Sequence, residues 1–251
     1  MSSTATYLYA ITRPVRPAAV AALRGVCGAP VRHLVEGDVG CLVSTVALAD
    51  FGEQALRANL ADLGWLERVA IEHDAVVRAG ARLATTAPLR LATVCASDDA
   101  VRARLRRLSR PAKALLDRLD GRDEWGVKLL GGAGEHVEQR VAASSGAAYL
   151  RQRRDALQAR EQAAADAVRH ADAVYARLLE AAVAGERHRP QDRELSGLDR
   201  PMTLNAAFLV DRDRVSEFRG AVDETARFLP ADSLVLTGPW PPYSFVGLDP
   251  S

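Results

Sequence analysis

The sequence predicts an α+β protein of two domains. Three observations lead there. Short β-rich apolar segments alternate with amphipathic helical stretches, and the second half runs strand, helix, strand, strand, helix, strand. A turn signal at Asp120-Gly121 separates that half from the first. The expected domains are therefore 1–120 and 121–251. A chain of 251 residues with mean hydropathy -0.08 is long enough to bury two cores.

In the first half, residues 6–12 are β-rich and apolar and read as a strand. Pro17 sits where a helix begins, with Val20 and Leu23 on one face and Gly25 and Gly28 at its end. Residues 31–36 and 40–46 flank Gly37-Asp38, a hairpin turn signal. Asp62 is an N-cap candidate, followed at helical spacing by Trp65, Leu66, Val69, Ala70, His73, Val76 and Val77, with Gly80 as the stop. Residues 89–94 read as another strand. Ser97-Asp98-Asp99 starts a helix through Val101, Leu105 and Leu108, and Pro111 opens a second helical piece through Leu115, Leu116 and Leu119.

In the second half, residues 124–130 form a strand and Gly131-Gly132-Ala133-Gly134 a connector. Ser144 or Ser145 then caps a helix over about 146–183, whose proline-free stretch from Tyr149 to about Val183 is roughly 50 Å long at the standard rise per residue. Ala164, Val168, Ala171, Tyr175, Leu178 and Ala182 make its seam, which Arg154 and Glu161 interrupt upstream. Residues 185–190 look like a charged linker, and 193–198 could supply a short strand. A strand over 203–210, a helix from about 213 through Phe228, and a closing strand from Leu234 complete the order. That order is the ferredoxin-like βαββαβ pattern, here with one overlong helix. The first half shows the same alternation, which leaves open whether it repeats that topology.

Composition narrows the function. A net charge of +1, from 33 basic and 32 acidic residues, provides no field for nucleic acid or an anionic membrane. Cys27, Cys41 and Cys95 are odd in number and widely spaced, which predicts free thiols in a reducing cytoplasm. No apolar run approaches membrane-spanning length and no export signal opens the chain, so the expected protein is cytoplasmic, neither exported nor membrane-inserted.

Enzyme-like chemistry is sparse. His73 between Glu72 and Asp74 is the most reactive-looking cluster, but it falls on the apolar stripe of its helix and reads as a packed histidine. His33, His136, His170 and His188 lack metal-ligand spacing, and Gly131 to Gly134 lacks the ending of a phosphate loop. The arginines at 102, 104, 106, 107 and 110 read as a solvated helix face, without the aromatic platforms that single-strand binding uses. No catalytic, cofactor-binding or metal-ligating residue is expected. The rival reading is a small-molecule-binding protein or enzyme on a ferredoxin-like scaffold.

The aromatics are the candidate contact residues. Trp240 and Tyr243 stand in Gly238-Pro239-Trp240-Pro241-Pro242-Tyr243-Ser244-Phe245-Val246, a proline-stiffened segment, and fit burial or a partner surface equally. Trp125 and Phe245 read first as core and second as contacts.

That segment resembles the C-terminal signature of the gas vesicle protein F/L family, accessory proteins of gas-filled buoyancy shells. Further matching pieces follow in the family's order. They are Tyr7-Leu8-Tyr9-Ala10-Ile11, Asp62-Leu63-Gly64-Trp65-Leu66-Glu67 leading to Glu72-His73, and Pro88-Leu89-Arg90-Leu91-Ala92-Thr93-Val94. After these come Glu124-Trp125-Gly126-Val127-Lys128, Tyr149-Leu150-Arg151 and Asn205-Ala206-Ala207-Phe208-Leu209-Val210. Where the family often has Phe-Gly, this chain has Leu91-Ala92. The resemblance implies an α+β N-terminal domain and a modified ferredoxin-like C-terminal domain. It also implies a non-enzymatic assembly protein, without cofactor, that binds the main shell protein and other accessory proteins. It places such a protein at the gas-facing side of the vesicle, with self-association and the choice between F and L type left open.

Overall fold

The computed structural model describes residues 3–131, 146–190 and 200–247. Two compact units emerge, Met1–Glu124 with Pro239–Ser251, and Trp125–Gly238. The sequence reading placed the C-terminal segment with the second half, whereas its contacts group it with the first unit.

The first unit is built on a sheet of β1 (Thr4–Thr12), β2 (Arg32–Glu36), β3 (Val39–Ala47), β4 (Thr86–Pro88) and β5 (Val94–Cys95). The path is β2-β3-β1-β4, with β5 also on β1, and these strands pair antiparallel. The hairpin between β2 and β3 turns at Gly37, whose φ of 60° suits a residue without Cβ. The helices are α1 (Pro17–Val20), α2 (Leu48–Phe51), α3 (Glu53–Asn59), α4 (Leu63–Leu83) and α5 (Asp98–Leu119).

Every residue of β1 after Thr4 is buried, which follows from helices on both faces of the sheet. On one face α4 packs Trp65, Val69, Val76 and Val77 against Tyr7, Tyr9 and Leu42. On the other, α5 buries Val101, Leu105, Ala112, Leu116 and Leu119, and its Asp98 accepts from Thr6 Oγ1 at 2.8 Å. Each fully buried Tyr, Phe or Leu contributes about 1.5–3 kcal/mol. The caps match the sequence: the Asp62 carboxylate accepts from Gly64 and Trp65 N–H, and Ser97 Oγ from Ala100 N–H.

The second unit contains most of β6 (Arg122–Leu130), α6 (Gly146–Leu179), β7 (Ala184–Arg187), β8 (Met202–Asp211), α7 (Val215–Ala226) and most of β9 (Leu234–Trp240). Its sheet order is β7-β8-β6-β9. Numbered within the unit this is second, third, first, fourth, the ferredoxin-like arrangement. The path β2-β3-β1-β4 of the first unit has the same order. The core joins Trp125, Val127 and Leu129 of β6 and Leu204, Ala206 and Phe208 of β8 to Ala171, Val174 and Leu178 of α6 and Phe218 and Val222 of α7.

Several expectations are corrected. Pro111 does not start a new helix but lies inside α5. It sits on the exposed face, as does Arg107, so the carbonyl it leaves without an N–H donor is solvated. The strand expected over 89–94 does not form: residues 89–93 turn between β4 and β5, with Ala92 in the left-handed conformation, φ 60°. Gly80 does not stop α4, which runs on to Leu83. The linker expected from 185 includes most of β7, an edge strand whose exposed Glu186 and Arg187 keep it polar. Neither α2 nor α3 was expected. The α6 seam starts later than its periodicity suggests, since Val168 is exposed and burial begins at Ala171. The Gly-rich connector beyond Gly131, the Ser144 and Ser145 caps, His136 and the 193–198 strand lie outside the described residues.

Candidate functional site

The C-terminal segment is fastened residue by residue within the first unit. The Arg78 guanidinium lies 4.4 Å from the centroid of the Trp240 ring, a cation–π contact. Asp74, one turn earlier on α4, holds Arg78 Nε at 2.5 Å and accepts from the Tyr243 hydroxyl at 3.2 Å. Spacing of four residues puts Asp74 and Arg78 on one helix face, so a single stretch of α4 receives both aromatics. Burial, reinforced by Asp74, pushes the Tyr243 hydroxyl above its ordinary range. Ser244 follows with two bonds to Glu124, and Phe245 is buried. Pro241 and Pro242, both buried, set the backbone that presents these side chains.

The four predicted contact residues therefore differ. Trp125 is buried in the second unit's core, with no hydrogen-bond partner for its Nε1 among the described residues. Phe245 is likewise interior. Trp240 is half-buried against Arg78, and Tyr243 keeps 39% of its surface in solvent.

Chemistry-bearing groups are held in structural bonds. His73 is buried on the α4 face that meets the sheet, with Nδ1 2.9 Å from the Tyr7 hydroxyl. That hydroxyl accepts from Ala92 N–H at 3.0 Å, so donating to Nδ1 completes its bonding. Burial lowers the imidazole pKa to about 4, against smaller upward contributions from the Leu89 backbone and Asp74, so His73 is neutral at neutral pH. Arg102 and Arg106 both reach Glu36, at 3.5 and 3.1 Å, so the basic run of α5 is partly neutralised in place. Among the described residues no group of three or more His, Cys, Asp or Glu could hold a metal ion, and no helix is long and apolar enough to cross a membrane.

Sequence reasoning missed the most exposed aromatic. Phe228, expected on the apolar stripe of its helix, lies beyond the end of α7 and is 88% exposed. It borders a cleft of about 400 Å³ between α6 and α7, lined also by His170, Ala173, Val174, Thr225 and Leu229. The Arg177–Glu224 pair, 3.3 Å apart, crosses its rim. The signal was the helix end: Phe228-Leu229-Pro230 follows the last periodic residue, and Pro230 cannot continue the helix.

Comparison with known proteins decides the family. The family described as "Gas vesicle synthesis protein GvpL/GvpF" matches residues 5–247. The chain belongs to the gas vesicle protein L/F family. Gas vesicle protein L of Streptomyces sp. (strain CB03234) is 42% identical over 248 residues, covering 96% of this chain and 92% of the relative. Gas vesicle protein F of the same strain is 28% identical over 261 residues, covering 96% and 99%. The L/F fold is shown by two crystal structures. The GvpF protein of Anabaena sp. PCC7120 has a TM-score of 0.68 at 20% identity, covering 98% of both chains. That of Microcystis aeruginosa has a TM-score of 0.65 at 22% identity, covering 97% of this chain and 99% of its own. Membership in the L/F family assigns the chain to gas vesicle assembly.

Proposed function

We propose that this protein binds the apolar main shell subunit of the gas vesicle and keeps it from aggregating until it joins the growing wall, in company with other accessory proteins. The observation that carries this reading is Phe228, a large aromatic left 88% exposed beside an apolar cleft in a protein of the gas vesicle family. An exposed aromatic next to a groove is the arrangement that interfaces use as an anchor. A shell subunit rich in apolar surface aggregates unless covered, so a cleft with an aromatic rim supplies a matching contact. Tyr243 and Trp240 form a second candidate surface, already partly engaged by Asp74 and Arg78.

Co-expression of the shell subunit with this chain tests the reading through the soluble shell fraction. The expected result is a larger soluble fraction than with an unrelated control protein, reduced by Phe228→Ser while the fold is unchanged. An unchanged soluble fraction overturns the role. A Phe228→Ser result equal to the unsubstituted protein, together with loss of shell capture in Trp240→Ala with Tyr243→Ala, moves the contact to the C-terminal segment. The amount of this chain retained in washed vesicles separates a released assembly factor from a wall component at the gas-facing side.

A further inference from the structure

The N-terminal part of α6 makes an apolar stripe that nothing among the described residues covers. Leu150, Leu157, Ala164, Ala171 and Leu178 recur every seven residues, and only the last two are buried. The same seam continues outward with Leu150 66%, Leu157 51% and Val168 61% exposed. A seven-residue apolar repeat is the pattern of a helix that pairs with another helix along its length.

Two charged residues lie within this seam, Arg154 and Glu161, opposite in sign and seven residues apart. Both are exposed, and among the described residues Arg154 has only its sequence neighbour Asp155, at 3.6 Å, as an ion-pair partner. The arrangement discriminates between ways of pairing. A parallel, in-register partner of the same sequence sets arginine against arginine and glutamate against glutamate. An antiparallel second copy, with its two-fold axis beside Leu157, sets each Arg154 against the other copy's Glu161. It also stacks Leu157 on Leu157 and faces Leu150 with the alanines at 164 and 165. Charged residues at seam positions commonly fix register and orientation in this manner, at some cost in stability.

We infer that two copies of this chain associate through antiparallel pairing of the α6 segment from Leu150 to Val168. The pairing is reversible, because only a few apolar layers per copy support it and two ion pairs occupy the seam. It does not depend on the cleft beside Phe228, which lies on a different face of α6: Ala173 and Arg177 of the cleft are turned away from the stripe by the helical period.

Sedimentation equilibrium of the full chain over a wide concentration range tests this. The expected result is a monomer–dimer equilibrium for the unsubstituted protein. Arg154→Glu turns two attractive pairs repulsive and is expected to raise the dimer dissociation constant by about tenfold. Combining Arg154→Glu with Glu161→Arg restores the opposite pairing and returns the constant toward its original value. Leu157→Glu is expected to leave only monomer. Because all three side chains are exposed, unchanged circular dichroism separates lost association from lost folding. A protein that stays monomeric throughout overturns the inference. So does a dimer indifferent to Arg154→Glu, or one weakened equally by the single and the double exchange. A dimer that forms only with an added accessory protein overturns it too, in favour of a different helix as occupant.

Discussion

Glu124 and Ser244, 120 positions apart in sequence, are joined by two hydrogen bonds: the Ser244 N–H donates to one carboxylate oxygen at 2.7 Å and its hydroxyl to the other at 2.8 Å. Glu124 is only 9% exposed, so the carboxylate depends on such donors in place of water. The pair fixes the C-terminal segment and thereby the positions of Trp240 and Tyr243. Ser244→Ala removes one donor and is expected to cost about 1–2 kcal/mol. Glu124→Ala removes the acceptor of both and is expected to expose the segment to proteases. Urea unfolding measures the first and limited proteolysis the second. An uncleaved C-terminus in Glu124→Ala means that the prolines and Phe245 hold the segment unaided.

His73 makes stability depend on pH. Its folded pKa, about 4, lies below the ordinary histidine value of 6.5. Between those values the unfolded chain takes up a proton that the native state refuses, so stability falls as pH drops through that window and is complete above it. The loss approaches about 3 kcal/mol near the lower end. His33, also lowered by burial, acts in the same direction. Asp98, held low by Arg32, adds a separate loss only at more acidic pH, below the normal carboxylate range. Unfolding free energies measured across mildly acidic pH check this, and His73→Gln is expected to flatten the slope. An equal slope in the variant assigns the effect to other groups.

Much of this architecture was legible because local signals and burial agreed. The Asp62 and Ser97 caps, the Gly37 turn and the apolar spacing of α4 and α5 each satisfied a local need that the fold also used. The failures came where long-range contacts overrode a local rule. Pro111 was read as an interruption, but the buried Leu105, Ala112 and Leu116 hold α5 against the sheet across it. The charged stretch from 185 looked unable to pair, yet β8 had a free edge and an edge strand tolerates charge. In the candidate site, the aromatics were visible in sequence but their partners were not. Asp74 and Arg78 lie well over 150 residues upstream of the segment they hold, and no periodicity links the two. Phe228 was misplaced because helical spacing continued past the point at which the helix ended.

Gly80 illustrates such an override at one position. A glycine near a helix end reads as a stop, but here a Cβ would meet Leu42 Cδ1 at 2.6 Å. The glycine lets α4 lie close to β3. Gly80→Ala gains about 1 kcal/mol of helix propensity, yet overpacking of this kind costs about 1–3 kcal/mol. Net destabilisation in chemical unfolding is the expected outcome. Adding Leu42→Val, which shortens the opposing side chain, is expected to recover part of it. Stabilisation by Gly80→Ala alone would show that Leu42 moves aside freely.

Ala92 presents the opposite case, a residue with a Cβ in a conformation that favours glycine. Its φ of 60° costs about 1–2 kcal/mol relative to an ordinary backbone. The position is one where the resembling family often carries glycine. The strain persists because Ala92 N–H donates to the Tyr7 hydroxyl, which in turn bonds His73, and because β4 and β5 anchor the turn on either side. Ala92→Gly relieves the Cβ clash and keeps the N–H, while the added freedom of the unfolded chain offsets about 0.5–1 kcal/mol of the gain. The net expectation is stabilisation by roughly 0.5–1 kcal/mol, or about 2 °C in Tm for a chain of this size. Elsewhere in a folded chain an alanine-to-glycine exchange lowers Tm, so the sign of the shift is the test. A fall in Tm would mean that the left-handed turn at Ala92 is not the strained element the backbone angle indicates.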